Sequence, residues 1–393
     1  EAALAHLATG PFSVTNSFTL AVIPLFILMG SLATQARLTS DLYTAAYNWF
    51  SRFPGGLFMT TIISSAAFGA ASGSTIVNAA IFTRMAVPEM TKHGYDKQVS
   101  AGCIAASGCL AALIPPSVLL VIYAIVTEQS VGLLLIAGII PGLLTLVTFL
   151  VGIYVMVRLR PEIAPITDVK IPLSEKIDSL KNVWGIVALF TLVIGGIYGG
   201  FFVPTYAGAV GAFGAFLIVV LKRRAQREVL SETLRDTVVT TATIFTVIIG
   251  GMLFARFLGY SGIVSSMSEV VLTLGLPPFA YLGGFLLLFL ILGMFIEPIA
   301  IMIMTLPIVF PVMTAVGYDP IWLGIIAVKM AEISLITPPV GLNVYVVRSA
   351  SPVPLKLEDV FKGVYPFILM EAIVLLLLIA FPSIVTVLPS MAH

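Results

Sequence analysis

The chain has 393 residues, of which 59% are hydrophobic and only 10% are charged, and its mean hydropathy is +1.10. A water-soluble protein of this length needs far more surface charge, so the composition excludes a soluble domain and indicates a polytopic membrane protein. The net charge of +1 gives no sign of nucleic-acid binding. The three His are scattered, and Cys103 and Cys109 lie among small residues, so neither residue type predicts a metal site or a disulfide.

Six apolar stretches are long enough to cross a membrane as conventional helices, which takes about 20 residues. They are 17–36, 132–158, 184–202, 205–221, 237–260 and 362–388. The first of these already forms the start of the first of two repeats, which are described below. We therefore expect a further span to precede Glu1.

Two other long stretches, 96–127 and 319–348, are broken by Pro115–Pro116 and Pro338–Pro339. Proline removes a backbone donor and clashes with the preceding turn, so a tandem pair unwinds a helix. We therefore predict two broken membrane helices.

Two further stretches, 55–92 and 279–316, are apolar on both sides of a polar or proline-marked centre. The centres are Ala71–Thr75 in the first and Phe295–Ile299 in the second. We predict that each is a re-entrant helical hairpin, which enters the membrane and leaves on the same side.

These segments repeat at a constant offset, since Pro88 corresponds to Pro311 (311 − 88 = 223) and the register continues without a gap to the second proline pair. The matched residues are Pro88, Met90, Thr91, Gly94, Tyr95 and Asp96 against Pro311, Met313, Thr314, Gly317, Tyr318 and Asp319. An internal repeat with a broken segment in each copy is typical of transporters that bind substrate at the repeat interface.

Basic residues indicate how the two copies are oriented, because Lys and Arg favour cytoplasmic loops. They cluster in alternate loops, while the loops near 128–131, 202–204 and 261–278 contain none. This pattern requires each hairpin to return to its own side, so the two repeats are predicted to be inverted. The first hairpin then opens to the cytoplasm, the second to the outside, and the C-terminus is periplasmic.

The segments 173–183 and 226–236 carry charges on one helical face and apolar residues on the other. We interpret them as interfacial helices on the cytoplasmic surface, with ordinary solvated loops as the alternative.

The first hairpin tip, Gly69–Thr75 with Asn78 one turn later, is the most polar point at membrane depth in the first repeat. Backbone groups at such a tip must be satisfied or line a wet cavity, and its oxygens suit Na⁺. The alternative is that small residues only permit tight helix packing.

The broken helices carry Ser107–Ser117 in the first repeat and Ser334–Asn343 in the second. Unwinding exposes carbonyls, which attract a cation, and amides, which attract a carboxylate. Proline kinks without a ligand are the alternative.

Ionisable residues within apolar segments are candidates for function. Glu297 at the second tip could bind a cation, accept a proton or cap a half-helix. Lys329 and Glu332, three residues apart, are predicted to form a local ion pair. Arg256 and Glu371 are predicted to brace helix contacts.

Several of these runs together resemble a known family, the large membrane subunit of TRAP (tripartite ATP-independent periplasmic) transporters. The resemblance covers essentially the whole chain and is carried by Ala71–Ser74, Pro88–Asp96, Leu113–Ser117, Glu297–Pro298, Pro311, Gly317–Pro320 and Glu332–Asn343. It implies an all-α fold of the ion transporter superfamily, with a scaffold and a mobile transport domain.

The resemblance also implies Na⁺-coupled, elevator-type uptake of an organic acid, such as a C4-dicarboxylate or sialic acid, with two or more Na⁺ ions. We assign substrate binding to Ser72, Ser74, Asn78, Ser117 and Asn343. We assign Na⁺ binding to Ser72, Gly73, Ser74, Gly108, Ala112, Glu297, Thr337 and Gly341.

The implied partners are a small four-helix membrane subunit, separate or fused, a periplasmic substrate-binding protein and membrane lipid, with no nucleic acid. The implied location is the bacterial inner membrane. The predicted domains are scaffold at 1–54, 132–278 and 352–393, and transport halves at 55–131 and 279–351.

Other classes of function are less well supported. The chain has no phosphate-binding Gly-Lys-Ser/Thr loop, so it is not predicted to hydrolyse ATP. No His or Asp within a span could activate Ser72 or Ser74, so an enzyme is not expected. The remaining alternatives are a carrier of the same superfamily that needs no binding protein and, less favoured, an ion channel.

Overall fold

The computed structural model describes residues 9–391 except 13, 166–170, 264, 265, 267, 268 and 270–272. The described residues form helices and connecting turns without a β-strand, so the all-α prediction is confirmed. Five helices are long and apolar enough to cross a membrane, and the count reaches seven if each of two bent pairs is one span.

The N-terminal helices α1 (Val22–Gln35) and α2 (Leu38–Phe50) form one of these bent pairs. The chain turns by 60° between them, where Arg37 adopts a left-handed conformation with φ of 56°. Helix α1 lies within the predicted span, and α2 packs against the start of the first hairpin.

The first hairpin consists of α3 (Gly56–Ser72) and α4 (Thr75–Lys92), separated by only two residues. Its arms are antiparallel, because the Asn78 side-chain amide on α4 donates to the Ser65 carbonyl on α3 at 2.9 Å. At the other end of the arms, the Leu57 amide donates to the Tyr95 hydroxyl at 3.3 Å. The chain therefore leaves the hairpin beside its entry point, as expected of a re-entrant hairpin.

The second hairpin consists of α12 (Pro278–Gly293) and α13 (Pro298–Ala315). Its base is closed by the Tyr318 hydroxyl, which donates to the Pro278 carbonyl at 2.9 Å. Tyr318 is the repeat equivalent of Tyr95, so the same residue type closes both hairpins.

The first broken helix consists of α5 (Lys97–Cys109), a 3-10 turn at Leu110–Ala112, and α6 (Val118–Val126). The peptide bond Pro115–Pro116 is cis. The helix begins after Asp96, whose carboxylate accepts a hydrogen bond from the Val99 amide at 2.8 Å.

The second broken helix consists of α14 (Pro320–Ile336) and α15 (Leu342–Ala350), with a cis bond at Pro338–Pro339. Asp319, the equivalent of Asp96, accepts from the Trp322 amide at 2.7 Å. An Asp at this position stabilises a helix by satisfying one of its first free amides. Both predicted breaks are confirmed.

Contacts of the first broken helix show that the repeats are inverted. The helix starts at the base of the first hairpin, beside Tyr95. Near its other end, the Tyr123 hydroxyl donates to the Pro320 carbonyl at 2.7 Å, beside the base of the second hairpin. The two bases therefore lie at opposite ends of one broken helix, and the predicted inversion is confirmed.

The central segment contains α7 (Val131–Leu159), α8 (Leu173–Asn182), α9 (Trp184–Tyr198), α10 (Pro204–Leu221) and α11 (Arg227–Tyr260). Helix α8 confirms the first predicted amphipathic helix. The second is not a separate element, because α11 continues without a break for 34 residues. At 1.5 Å per residue it is about 50 Å long, so a hydrocarbon core of about 30 Å leaves its charged first turns outside.

The C-terminal segment contains α16 (Leu357–Ala380) and α17 (Ser383–Met391). The single span predicted at 362–388 is therefore wrong in its end, because the helix stops at Ala380 and Phe381, the residue before Pro382, has left helical geometry with φ of −128°.

Helices α7 and α16 pack together and against the first broken helix. The rings of Phe149 on α7 and Phe367 on α16 meet edge to face, with centroids 5.5 Å apart. The Gln98 side chain on α5 donates to the Asp359 carboxylate on α16 at 2.9 Å. Both helices thus contact elements that carry the breaks and hairpins.

Candidate functional site

The two hairpin tips share one cavity of about 610 Å³. The first tip contributes Ser72–Val77 and the second Glu297–Ile299. Residues of α1 and the first half of α11 form other parts of the lining: Ile27, Gly30, Ser31, Thr34, Gln35, Glu232, Thr233, Arg235, Asp236, Val239, Thr240 and Ile244. The two hairpin tips therefore supply one part of the cavity, and helices α1 and α11 supply another.

The first tip turns at Gly73, which adopts a left-handed conformation with φ of 59°. A β-carbon at this residue would lie 2.9 Å from the Pro116 carbonyl oxygen, so the tip backbone lies directly against the broken helix. Glycine is favoured here because it tolerates both the positive φ and the close approach. The first tip and the first proline break therefore meet.

The two serines of this tip differ in their hydrogen bonding. The Ser72 hydroxyl is buried and has no hydrogen-bond partner. Ser74 caps α4, accepting a long hydrogen bond from the Val77 amide at 3.4 Å. A buried polar atom without a partner is unusual and indicates a place for a ligand.

Helix α1 approaches the same tip at Gly30. A β-carbon at Gly30 would lie 2.8 Å from the Ser72 α-carbon, so a larger residue there would displace the tip. The contact places α1 directly beside the unpartnered Ser72 hydroxyl.

The second tip carries a carboxylate where the first carries a hydroxyl. Glu297, the equivalent of Ser74, caps α13: its Oε2 accepts from the amides of Ile299 at 3.0 Å and Ala300 at 3.3 Å. Negative charge at a helix N-terminus is stabilised by the free amides and the helix dipole.

The cavity thus brings together four of the predicted site residues, namely Ser72, Gly73, Ser74 and Glu297. Asn78, Ser117 and Asn343 do not line it and are fully buried. The amides of Asn78 and Asn343 donate to backbone carbonyls, those of Ser65 and Ala105.

Ser117 caps α6, accepting from the Leu120 amide at 3.2 Å, and also donates to the Ala112 carbonyl. Each of the two asparagines retains a side-chain oxygen without a partner. Their role in substrate binding stays a prediction.

The remaining predicted Na⁺ ligands, Gly108, Ala112, Thr337 and Gly341, lie at or beside the two breaks, and none lines this cavity. The Thr337 hydroxyl donates to the Ile333 carbonyl at 2.6 Å. Their role in binding Na⁺ also stays a prediction.

Sequence reasoning missed the part of the cavity contributed by α11. Glu232, Arg235 and Asp236 line the cavity, although we had assigned their segment to the membrane surface. Their spacing places them on one helical face, and this pattern was the available signal. It did not reveal that the face turns towards the hairpin tips.

The oxygens at the first tip fit a hard cation such as Na⁺. They include the unpartnered Ser72 hydroxyl and the Pro116 carbonyl next to Gly73, and exposed carbonyls at helix breaks are known to coordinate Na⁺. Among the described residues, no group of three or more His, Cys, Asp or Glu side chains could hold a metal ion. Carbonyl and hydroxyl oxygens are ligands for hard cations, and Na⁺ binding here stays a prediction.

Comparison with known proteins agrees with this architecture. The C4-dicarboxylate TRAP transporter large permease protein DctM of Pseudomonas aeruginosa is 35% identical over 386 residues, covering 98% of this chain and 89% of that protein. The sialic acid TRAP transporter large permease protein SiaM of Vibrio cholerae is 32% identical, covering 96% and 87%.

Among solved structures, the YdaH transporter of Alcanivorax borkumensis superimposes with a TM-score of 0.64. The alignment covers 96% of this chain and 88% of that one at 15% identity, so it supports the fold alone. The family described as the DctM component of the tripartite ATP-independent periplasmic transporter matches residues 2–384. The chain belongs to this family and is a TRAP transporter large permease protein.

Proposed function

We propose that this permease carries out Na⁺-coupled uptake of an organic acid delivered by a periplasmic binding protein, by an elevator movement. One observation carries the proposal: the tips of two inverted hairpins meet in one cavity that is also lined by helices outside the hairpins, α1 and α11. A site made of two such halves can be exposed to either side of a membrane when one body moves against the other.

Na⁺ would bind at the first tip, where Ser72 and the Pro116 carbonyl supply neutral oxygens. Glu297 would supply negative charge from the second tip. Its Oε2 already accepts two amides, which leaves Oε1 as the oxygen for a ligand. Bound Na⁺ would offset the charge of an acidic substrate in a cavity of low dielectric.

Two of the relatives and the cavity support a proposal for the class of substrate. One relative is named for C4-dicarboxylates and another for sialic acid, and both are carboxylates. Arg235 on α11 lines the cavity and could attract such an anion, although Glu232 and Asp236 lie beside it. We propose an organic carboxylate as the class of substrate.

The moving body would contain the hairpins, the broken helices and also α7 and α16. We place α7 and α16 there because they pack against each other, α16 packs against α5, and α7 packs against α3 and α6. This differs from the domains expected from sequence, which assigned 132–278 and 352–393 to the scaffold. Helices α1, α9, α10 and α11 would form the scaffold.

The proposed partners are a small membrane subunit and a periplasmic binding protein, in accord with the tripartite family. The proposed location is the bacterial inner membrane, with the charged start of α11 in the cytoplasm and the C-terminus in the periplasm.

The decisive experiment is uptake by the complete transporter reconstituted in liposomes, with an imposed Na⁺ gradient. We expect saturable uptake that requires both Na⁺ and the binding protein, and that Ser72→Leu abolishes without loss of membrane insertion. Ser390→Leu, at an exposed serine in the last helix, is the matched control and should transport normally.

The other outcomes identify the alternatives. Uptake that needs Na⁺ but no binding protein would indicate an independent carrier, and currents without substrate would indicate a channel. Normal uptake by Ser72→Leu would refute the site at the first tip.

The elevator movement needs its own test. Cysteines at Ser31 on α1 and Ile76 on α4 would lie on the scaffold and on the moving body around the same cavity. We expect a bifunctional thiol reagent that bridges them to stop uptake, and reduction of a cleavable linker to restore it. Uptake by the fully bridged protein would rule out sliding of these two elements.

A further inference from the structure

Three ionisable side chains meet in the interior, away from the cavity between the tips. Lys329 and Glu332 lie on α14 and Glu371 lies on α16, and we call them the buried triad. Their exposed fractions are 0%, 1% and 1%, respectively. The Lys329–Glu332 ion pair predicted from sequence is confirmed at 3.0 Å, but the participation of Glu371 was not foreseen as part of it.

The Lys329 ammonium makes three polar contacts. Its Nζ contacts Glu332 Oε2 at 3.0 Å, forms an ion pair with Glu371 Oε2, and donates to the Thr145 hydroxyl on α7 at 3.0 Å. The Thr145 hydroxyl itself donates a hydrogen bond to the Pro141 carbonyl at 2.9 Å. Two of the three ammonium donors are therefore in hydrogen bonds, and Glu371 lies beside the same ammonium as an ion-pair partner.

The two carboxylates of the triad have oxygens that accept no hydrogen bond. Oε1 of Glu332 and both carboxylate oxygens of Glu371 are buried and have no hydrogen-bond partner, since the contact between Glu371 and Lys329 is an ion pair. Two ionised carboxylates beside one ammonium would leave a net negative charge in the interior of the protein. A charge buried without a counter-charge is so costly that such groups normally become neutral.

In the part of the chain that the structure describes, the ion pairs of the triad are among its own members, and no further cation pairs with its carboxylates. The remaining titratable group beside it is the Cys109 thiol on α5, which donates to the Glu332 carbonyl. A thiol cannot supply positive charge.

We propose that the buried triad binds one proton, carried by Glu332 or Glu371, so that the group has no net charge. The protonated carboxyl supplies a donor, and an unpartnered carboxylate oxygen is the acceptor available to it. The triad is then a neutral clamp that joins α14 to α7 and α16. This inference does not depend on Na⁺ coupling or on the identity of the substrate.

Infrared spectroscopy of the purified permease in lipid tests the proposal directly, because a protonated carboxylic acid has a carbonyl stretch that a carboxylate lacks. The measurement is made at about pH 8, far above the ordinary Glu pKa of about 4.3. We expect an acid band in the wild-type protein and its loss in both Glu332→Gln and Glu371→Gln, since the single remaining carboxyl pairs with Lys329 as an anion.

Two results would overturn the proposal: no acid band in the wild-type protein, or a band that persists in both variants and so belongs to another carboxyl. The wild-type measurement alone is sufficient to refute it if a variant does not fold.

A charge-balance series gives an independent readout through the yield and thermal stability of folded permease. Each single Gln variant should stay close to wild type, because the amide resembles a protonated carboxyl. The double variant Glu332→Gln/Glu371→Gln should be much less stable, since it leaves Lys329 unpaired, and adding Lys329→Met should recover part of the loss.

The series also distinguishes a proton from a bound cation. If both single variants lose stability, and if Na⁺ stabilises the wild-type protein but not the variants, then the triad holds Na⁺ between two ionised carboxylates and the proposal is wrong.

Discussion

The two hairpin tips occupy equivalent positions in the repeat but are built differently. The first turns within two residues at Gly73 and caps its returning arm with the Ser74 hydroxyl. The second takes four residues between Gly293 and Pro298, has Ile296 where the first has Gly73, and caps its arm with Glu297. The first tip is neutral and pressed against a proline break, whereas the second is acidic.

The difference separates two ways of making a site at a hairpin tip. At the first tip, backbone and hydroxyl oxygens are brought close together because the residues are small. At the second, one charged side chain both caps the helix and lines the cavity. A duplicated backbone can therefore hold different chemistry in its two halves, and matched substitutions can measure what each half contributes.

The largest effect is expected at the turn of the first tip. Gly73→Ala introduces a β-carbon 2.9 Å from the Pro116 oxygen, in addition to about 1–2 kcal/mol of left-handed strain. We expect the uptake rate to fall at least about tenfold, because 1.4 kcal/mol corresponds to about a factor of ten. Gly200→Ala is the control, since Gly200 also has a positive φ of 68° but has open space around it. Equal losses in the two variants would show that strain alone matters.

A smaller effect is expected from replacing the residues that cap the returning arms of the two hairpins. Glu297→Gln keeps an oxygen that can accept from the amides of α13 but removes the charge, so we expect about tenfold weaker apparent Na⁺ affinity in uptake assays, about 1.4 kcal/mol. Ser74→Ala removes a long cap bond, worth about 1 kcal/mol or less. If Ser74→Ala weakens Na⁺ dependence more than Glu297→Gln does, the neutral tip is the more important Na⁺ site.

The smallest effect on uptake is expected at the hairpin bases, where the loss is one of stability and should differ between the repeats. Tyr95→Phe leaves the buried Leu57 amide without its tyrosine acceptor, which costs about 1–3 kcal/mol of stability. Tyr318→Phe removes a bond at an exposed position, where water can replace the hydroxyl, so we expect about 1 kcal/mol or less. Thermal unfolding of the two purified variants measures this, and equal shifts would contradict the difference in burial.

Much of the fold could be predicted because its signals are local. Tandem prolines break a helix wherever they occur, and both breaks were placed at the correct residues. The same holds for the hairpins, whose predicted polar centres contain the first observed turn and overlap the second. The end of α16 was missed, although Pro382 provided the signal for it.

The site was less predictable because it depends on which helix faces meet. Ser72, Gly73, Ser74 and Glu297 were foreseen as candidates from their position at the tips, and the structure places them together. The α11 face with Arg235 was not foreseen, because amphipathic patterning is the same for a surface helix and for a helix that lines a cavity.

The sequence by itself determined that this is a membrane protein made of two inverted copies. Hydropathy and proline chemistry depend on local stretches of chain, and the 223-residue register can be found without knowing how the helices pack. Only the tertiary structure decided that the two tips share a cavity, that α11 completes it, and that Glu371 reaches Lys329 to form the buried triad. Those contacts join residues far apart in the chain, and they depend on how each helix is rotated about its axis, which is set by close packing against its neighbours.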